Sequence, residues 1–147
     1  MQLQIASENT LLLTLGEEAS PQVSALVQSA ALATKRVMGK ELIDLIPSYA
    51  SLLIIYDPFL TDHFAVTRKI KFAMESLDAA QAEEGTAVIL PVYYSPESGE
   101  DLEDLAERAN MSIEEVIALH SGSDYRVYAI GFAPGFAYLG EVHERIA

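Results

Sequence analysis

The residues most able to do chemistry lie late in the chain. Residues 131–140 read Gly-Phe-Ala-Pro-Gly-Phe-Ala-Tyr-Leu-Gly. Pro134-Gly135 is a strong turn signal, because proline pre-sets one central φ and glycine is free to take a positive one. Phe132, Phe136 and Tyr138 surround it with aromatic surface, while Gly131 and Gly140 bound it. Two readings fit: a tight turn whose aromatics plug a sheet, or a preformed loop whose backbone N–H groups and aromatic walls face a ligand or partner. It is not a phosphate loop, for it lacks the Lys-Ser/Thr of a Walker motif and the spacing of a dinucleotide fingerprint.

Eleven positions before Gly131 stands His120. It is either a general acid or base, or a helix C-terminal histidine favoured by the dipole. His63 and His143 stand apart from it and are expected at solvated surface positions. Three scattered histidines without helical pairing do not make a metal site, and no metal is expected. Eight acids, Glu97, Glu100, Asp101, Glu103, Asp104, Glu107, Glu114 and Glu115, crowd residues 97–115 against Arg108 alone. Such a run is expected to form the solvated side of short helices. No Ser-His-Asp order, glycosidase carboxylate pair or deaminase motif stands out.

The elements that must position these groups follow from periodicity. Leu3 and Ile5 alternate with polar neighbours, Glu8-Asn9 reads as a turn, and residues 10–15 form a second strand. Ser20-Pro21 opens a helix as N-cap and first position. Val23, Leu26, Val27, Ala30, Val37 and Met38 share one face of it. Lys35 and Arg36 suit its C-terminus, and Gly39 can stop it. Leu42, Leu45 and Ile46 lead to Pro47, and residues 51–56 form a strongly apolar central strand, giving a second hairpin. Thr61 or Asp62 caps a second helix bearing Val66, Ile70, Ala73, Leu77 and Ala80, which ends near Glu83-Glu84. A strand is predicted over 86–94, with Pro91 marking an edge or bulge. Leu102, Leu105 and Ala106 form a short amphipathic helix ended by Asn110. Ser112 and Glu115 make a capping box for another helix, which runs to His120. Residues 125–130 are a last strand.

This order predicts an α+β fold, a two-layer sandwich of a mainly antiparallel sheet with helices on one face, built on a ββα-ββα pattern. Residues 1–94 form the core, and 95–147 add the helical pair, strand and loop of the same domain.

Composition sets the outer bounds. The 147 residues carry 22 Asp and Glu against 9 Lys and Arg, a net charge of −13. Half of them are hydrophobic, and mean hydropathy is +0.19. A disordered acidic tail is excluded, since roughly 68–70% of the extended-chain surface can be buried at this size. With so few bases, neither a nucleic acid nor an anionic membrane is expected as partner. Cysteine is absent, which removes disulfides, thiolate metal sites and a Cys nucleophile. Without a secretory segment or a long apolar run, a cytoplasmic location is expected.

The string Gly-Phe-x-Pro-Gly-Phe-x-Tyr-Leu-Gly at 131–140 resembles the signature of the family that holds KipI and the B subunit of 5-oxoprolinase. That family is also described as allophanate hydrolase subunit 1, or carboxyltransferase domain C and D. The resemblance extends through 115–121, 125–128 and 46–58, and is most specific over 113–140. At 94–99, Tyr-Ser-Pro-Glu-Ser-Gly stands where the family often has a glycine-rich stretch, so a ligand contact made there by relatives would differ here. The resemblance implies an N-terminal domain without the family's C-terminal cyclophilin-like barrel, and therefore a fragment inactive alone. It implies one component of an ATP-dependent amide-cleaving enzyme that converts 5-oxoproline to glutamate with homologues of the enzyme's A and C subunits. ATP would be bound at the level of that complex. The alternative it carries is an inhibitor of a sensor histidine kinase. By the same resemblance His120 would be catalytic, and Gly131, Phe132, Pro134, Gly135, Phe136 and Tyr138 would contact substrate or partner.

Overall fold

The computed structural model describes residues 1–75, 77, 85–140 and 142–147. Its elements are β1 (Gln2–Ser7), β2 (Thr10–Thr14), α1 (Pro21–Met38), β3 (Leu42–Pro47), β4 (Ser51–Tyr56) and α2 (His63–Met74). After these come α3 (Leu102–Ala109), α4 (Ile113–Ser121), β5 (Arg126–Ile130) and β6 (Ala137–Gly140). The fold is α+β. The chain divides into two compact units. One is Met1–Gly85 with Tyr128–Ala137, the other Thr86–Val127 with Tyr138–Ala147.

In the first unit, four antiparallel strands lie in the order β1-β2-β4-β3. Both predicted hairpins form, and β4 is internal. Alternation decides which side chains enter the core. Leu11 and Leu13 of β2 and Leu52, Ile54 and Tyr56 of β4 are buried, while their neighbours in sequence are partly exposed. On that face pack Ala30, Ala33 and Met38 of α1 and Val66, Ile70, Ala73 and Met74 of α2. Two small polar groups share the interior, and the Ser29 and Thr34 hydroxyls have no hydrogen-bond partner among the described residues.

The starts of α1 and α2 and the end of α1 are where the sequence places them. Ser20 Oγ accepts from Val23 N–H, with Pro21 at the first position. Asp62, not Thr61, caps α2 by accepting from Ala65 N–H at 2.8 Å. Gly39 terminates α1 at φ 52 and ψ −124. The Lys69 ammonium meets Glu41 at 2.6 Å, tying α2 to the 3-10 turn Gly39–Glu41. The second helix ends at Met74 with Glu75 as its C-cap, earlier than the sequence places it; Leu77, expected on its face, packs on the core from outside the helix. Ala80 and Glu83-Glu84, where the sequence places its end, lie outside the described residues.

In the second unit, α3 and α4 pack around Ala106, Val116 and Ile146. The capping box is present in both directions: Glu115 N–H donates to Ser112 Oγ, and Glu115 Oε2 accepts from Ser112 N–H. Asn110 ends α3 with φ 52, the left-handed conformation that asparagine tolerates. One expectation fails. Residues 86–94 have strand composition but form no strand, and all but Tyr94 are exposed. Among the described residues no strand pairs with them, and a strand without a partner has no ladder to hold it. Among the described residues, no helix is long and apolar enough to cross a membrane.

Candidate functional site

The 131–140 string folds as three nested turns. Gly131 N–H donates to Phe136 O at 3.0 Å, closing the outer loop. Phe136 N–H donates to Ala133 O at 3.0 Å. Gly135 sits at φ 79, the third position of a type II turn with Pro134 at the second. Ala133 N–H donates to Gly131 O at 2.7 Å, a three-residue turn centred on Phe132. Its φ of 62 is the sparsely populated form for such a turn and for a bulky side chain. Strain of this kind costs about 1–3 kcal/mol and gathers at ligand clamps and switch regions. Here it holds the Phe132 ring 91% exposed, edge-on to Phe136 at 5.6 Å. The aromatics therefore do not plug a sheet; they stand on the surface. Residues 137–140 continue as β6, which pairs with β5 in a two-stranded ribbon. Sequence patterning does not announce this strand, because it is only four residues long and its last is Gly140.

His120 lies in the other unit, in the last turn of α4, and is exposed. Its Nδ1 is 2.5 Å from the Tyr94 hydroxyl. Tyr125 covers its other side, with ring centroids 5.1 Å apart, and donates its hydroxyl to the His120 carbonyl at 3.0 Å. So the helix-terminal position is as expected, with these contacts around it. A backbone carbonyl of the last turn is satisfied by Tyr125, while the imidazole is oriented by Tyr94 and reachable from solvent. Either atom can be the donor of this hydrogen bond, according to the imidazole tautomer. Neither tyrosine stands out in the sequence; Tyr94 is 26 residues away, and only folding brings it near.

Tyr94 also lines an open groove of about 580 Å³ with Val92, Ser95, Ser98, Leu102 and Leu105. Its floor is fixed by the Ser95–Ser98 turn, in which Ser98 Oγ donates to Tyr93 O and lies 3.0 Å from Ser95 Oγ. The eight acids of 97–115 are all exposed, and Asp104 pairs with Arg108 at 2.7 Å. Among the described residues, no group of three His, Asp or Glu could hold a metal ion.

The remaining histidines differ from expectation. His63 is half-buried, and its Nδ1 is 2.8 Å from the Tyr56 hydroxyl. That hydroxyl also reaches Glu8 O at 3.3 Å. Burial, aided by the Asp62 charge, pushes the Tyr56 phenol above its ordinary value. The pair joins α2 to the core. His143 is half-buried too, and its Nδ1 accepts from Arg145 N–H at the start of the short 3-10 turn Glu144–Ile146.

No α-helix N-terminus among the described residues stands open to a triphosphate. Helix N-termini attract phosphate through free N–H groups. Here Ser20 and Asp62 occupy those of α1 and α2, and Glu103, Asp104, Glu114 and Glu115 crowd the first turns of α3 and α4.

Known proteins share both the sequence and the backbone. The family described as carboxyltransferase domain, subdomain C and D, matches residues 1–147. The 5-oxoprolinase B subunit of Bacillus subtilis (strain 168) is 31% identical, over 99% of this chain and 65% of that protein. The 5-oxoprolinase B subunit of Escherichia coli O157:H7 is 31% identical over 78% of this chain and 52% of its own length. The chain thus spans about half to two thirds of these relatives. The crystal structure of TTHA0988 superposes with a TM-score of 0.79 at 36% identity, over 95% of this chain and 27% of that one. A whole-length family match and a shared backbone agree with the 131–140 signature, and the chain belongs to the carboxyltransferase domain, subdomain C and D, family.

Proposed function

We propose that this chain is the N-terminal domain of a 5-oxoprolinase B subunit, working with homologues of the enzyme's A and C subunits to open 5-oxoproline to glutamate with ATP. The observation that carries the proposal is its likeness to proteins of that name over nearly the whole chain. Opening the ring adds water across an amide C–N bond that resonance stabilises, so coupling to ATP is chemically reasonable. With the described α-helix N-termini capped or crowded by carboxylates, ATP is assigned to the assembled complex and no step is routed through it here.

Two features of this chain would serve the reaction. The rigid 131–140 loop, with Phe132 held outward, supplies an apolar wall for substrate or for a neighbouring subunit. The His120–Tyr94 pair supplies an exposed, oriented acid–base group that can hold or pass a proton. Both are assigned as site residues on this reading. An inhibitor of a sensor histidine kinase would use the same loop as an interface. The enzyme reading is preferred because it is the one the relatives' names carry.

Reconstituting the full-length protein with its neighbouring subunits tests the proposal. ATP-dependent release of glutamate from 5-oxoproline is expected, with His120→Gln and Phe132→Ala both lowering it. A well-folded complex that releases none would overturn the reading, and inhibition of a host histidine kinase by the same protein would install the alternative.

A further inference from the structure

The second helix carries more than its buried face needs. Val66, Ile70, Ala73 and Met74 are buried in the core. On the opposite side, Phe64, Arg68, Lys71 and Phe72 follow one another at helical spacing, and so share an outward stripe. Phe64 is 77% and Phe72 69% exposed. They lie eight positions apart, about 12 Å along the helix axis. Lys69 is engaged by Glu41. Among the described residues, no carboxylate is within ion-pair distance of Arg68 or Lys71.

Charge makes this stripe distinctive. Residues 21–75 hold six bases (Lys35, Arg36, Lys40, Arg68, Lys69, Lys71) and five acids (Glu41, Asp44, Asp57, Asp62, Glu75), a balance of +1. The rest of the chain holds three bases and seventeen acids, a balance of −14. Half of the acidic chain's six central cations thus stand on one helix that also exposes two phenylalanines.

We propose that the outer face of α2 is a docking surface for an acidic amphipathic helix of another protein, with apolar side chains on Phe64 and Phe72 and carboxylates on Arg68 and Lys71. Each ring offers on the order of 150–250 Å² to be covered. The cations reach only about 8–10 Å through physiological salt, which suits a local helix. The chain as a whole carries −13, which disfavours approach to an anionic bilayer, so a membrane is the less favoured occupant. The proposal goes beyond the enzyme reading, because it depends on neither ATP nor 5-oxoproline.

Fluorescence polarisation with synthetic peptides of about 18 residues, roughly five turns, provides the test. One peptide carries Leu at helical spacing with Glu elsewhere, a second replaces Glu by Lys, and a third keeps Glu but replaces Leu by Ser. The full chain should bind the Glu/Leu peptide at least about tenfold more tightly than either control, and added salt should weaken it. Phe64→Ser with Phe72→Ser, and separately Arg68→Glu with Lys71→Glu, should each cost about tenfold or more without changing the melting temperature, since all four side chains are solvent-facing. Equal binding of the Lys/Leu peptide, or retained affinity in both double variants, would overturn the proposal. So would Phe64-dependent binding to phosphatidylserine vesicles in place of the peptide, or a dimer that the Phe64→Ser, Phe72→Ser variant converts to monomer. A chain extended to the length of its relatives that no longer binds the peptide would place the protein's own remainder on this face, and would overturn it as well.

Discussion

The two units of this chain are stabilised differently. Among the described residues, the first has a core of twelve buried residues drawn from two helices and two strands. The second has three in its cluster among the described residues, Ala106, Val116 and Ile146, and relies on local hydrogen bonds: a complete capping box, the Asn110 end of α3 and the tyrosines around His120. Apolar burial scales with area removed from water, so the first unit should hold most of the resistance to unfolding. The second, rich in acids and exposed polar side chains, is drawn from the low-stability end, where opening is easiest. The His120–Tyr94 pair therefore sits on the softer of the two frames.

The sharpest way to break that contrast is a pair of truncations. Ile54 is fully buried, and Ile54→Ala should cost about 2–5 kcal/mol in urea unfolding. Val116→Ala in the second unit should cost about 1.5 kcal/mol, from two lost methyl-sized groups. Equal costs would mean that the small cluster is as well packed as the large one. Next comes Thr34, whose hydroxyl is wholly buried without a partner among the described residues. Thr34→Val keeps the shape and removes the orphan oxygen, so it should stabilise the first unit by about 1–2 kcal/mol in the same assay. Ser112→Ala removes one arm of the capping box and should cost about 1 kcal/mol. Hydrogen exchange should show faster opening confined to α4.

A pH dependence belongs to the first unit. The Tyr56 phenol is raised when folded, so its stabilising contribution is complete below the unfolded value near 10 and is lost as pH climbs through the higher folded value. Stability should fall above about pH 10, and Tyr56→Phe should flatten that fall while costing roughly 0.5–1.5 kcal/mol at neutral pH through the lost bonds to His63 and Glu8. The smallest expected effect on stability is Phe132→Gly. Relief of about 1–3 kcal/mol of backbone strain is partly offset by the lost ring pair with Phe136, roughly 0.5–1.5 kcal/mol. Unfolding should hardly move, or stability should rise slightly, while glutamate release by the reconstituted complex drops.

What sequence could show follows the same divide between near and far. Caps, hairpins and the Pro134-Gly135 turn are decided within a few residues, and Ser20, Asp62, Ser112 and Gly135 act as their types require. Residues 86–94 misled because Val88, Ile89, Val92 and Tyr93 carry strand propensity, yet a strand exists only where a partner does. The contacts of His120 with Tyr94 and of His63 with Tyr56 were equally invisible. No local rule brings a phenol to an imidazole across 26 residues, and a spacing of seven between strand and helix carries no periodicity of its own.

Gly39, at the junction of α1 and β3, sharpens a different point. A methyl group built there would meet nothing within 4 Å, so the site has room for a larger residue. What it refuses is handedness. With φ 52 and ψ −124, its backbone is close to the mirror image of an ordinary extended conformation. L-alanine would be strained in open space, and D-alanine introduced by chemical ligation would sit there at ease. The passage from the first long helix into the sheet is governed by chirality rather than by volume.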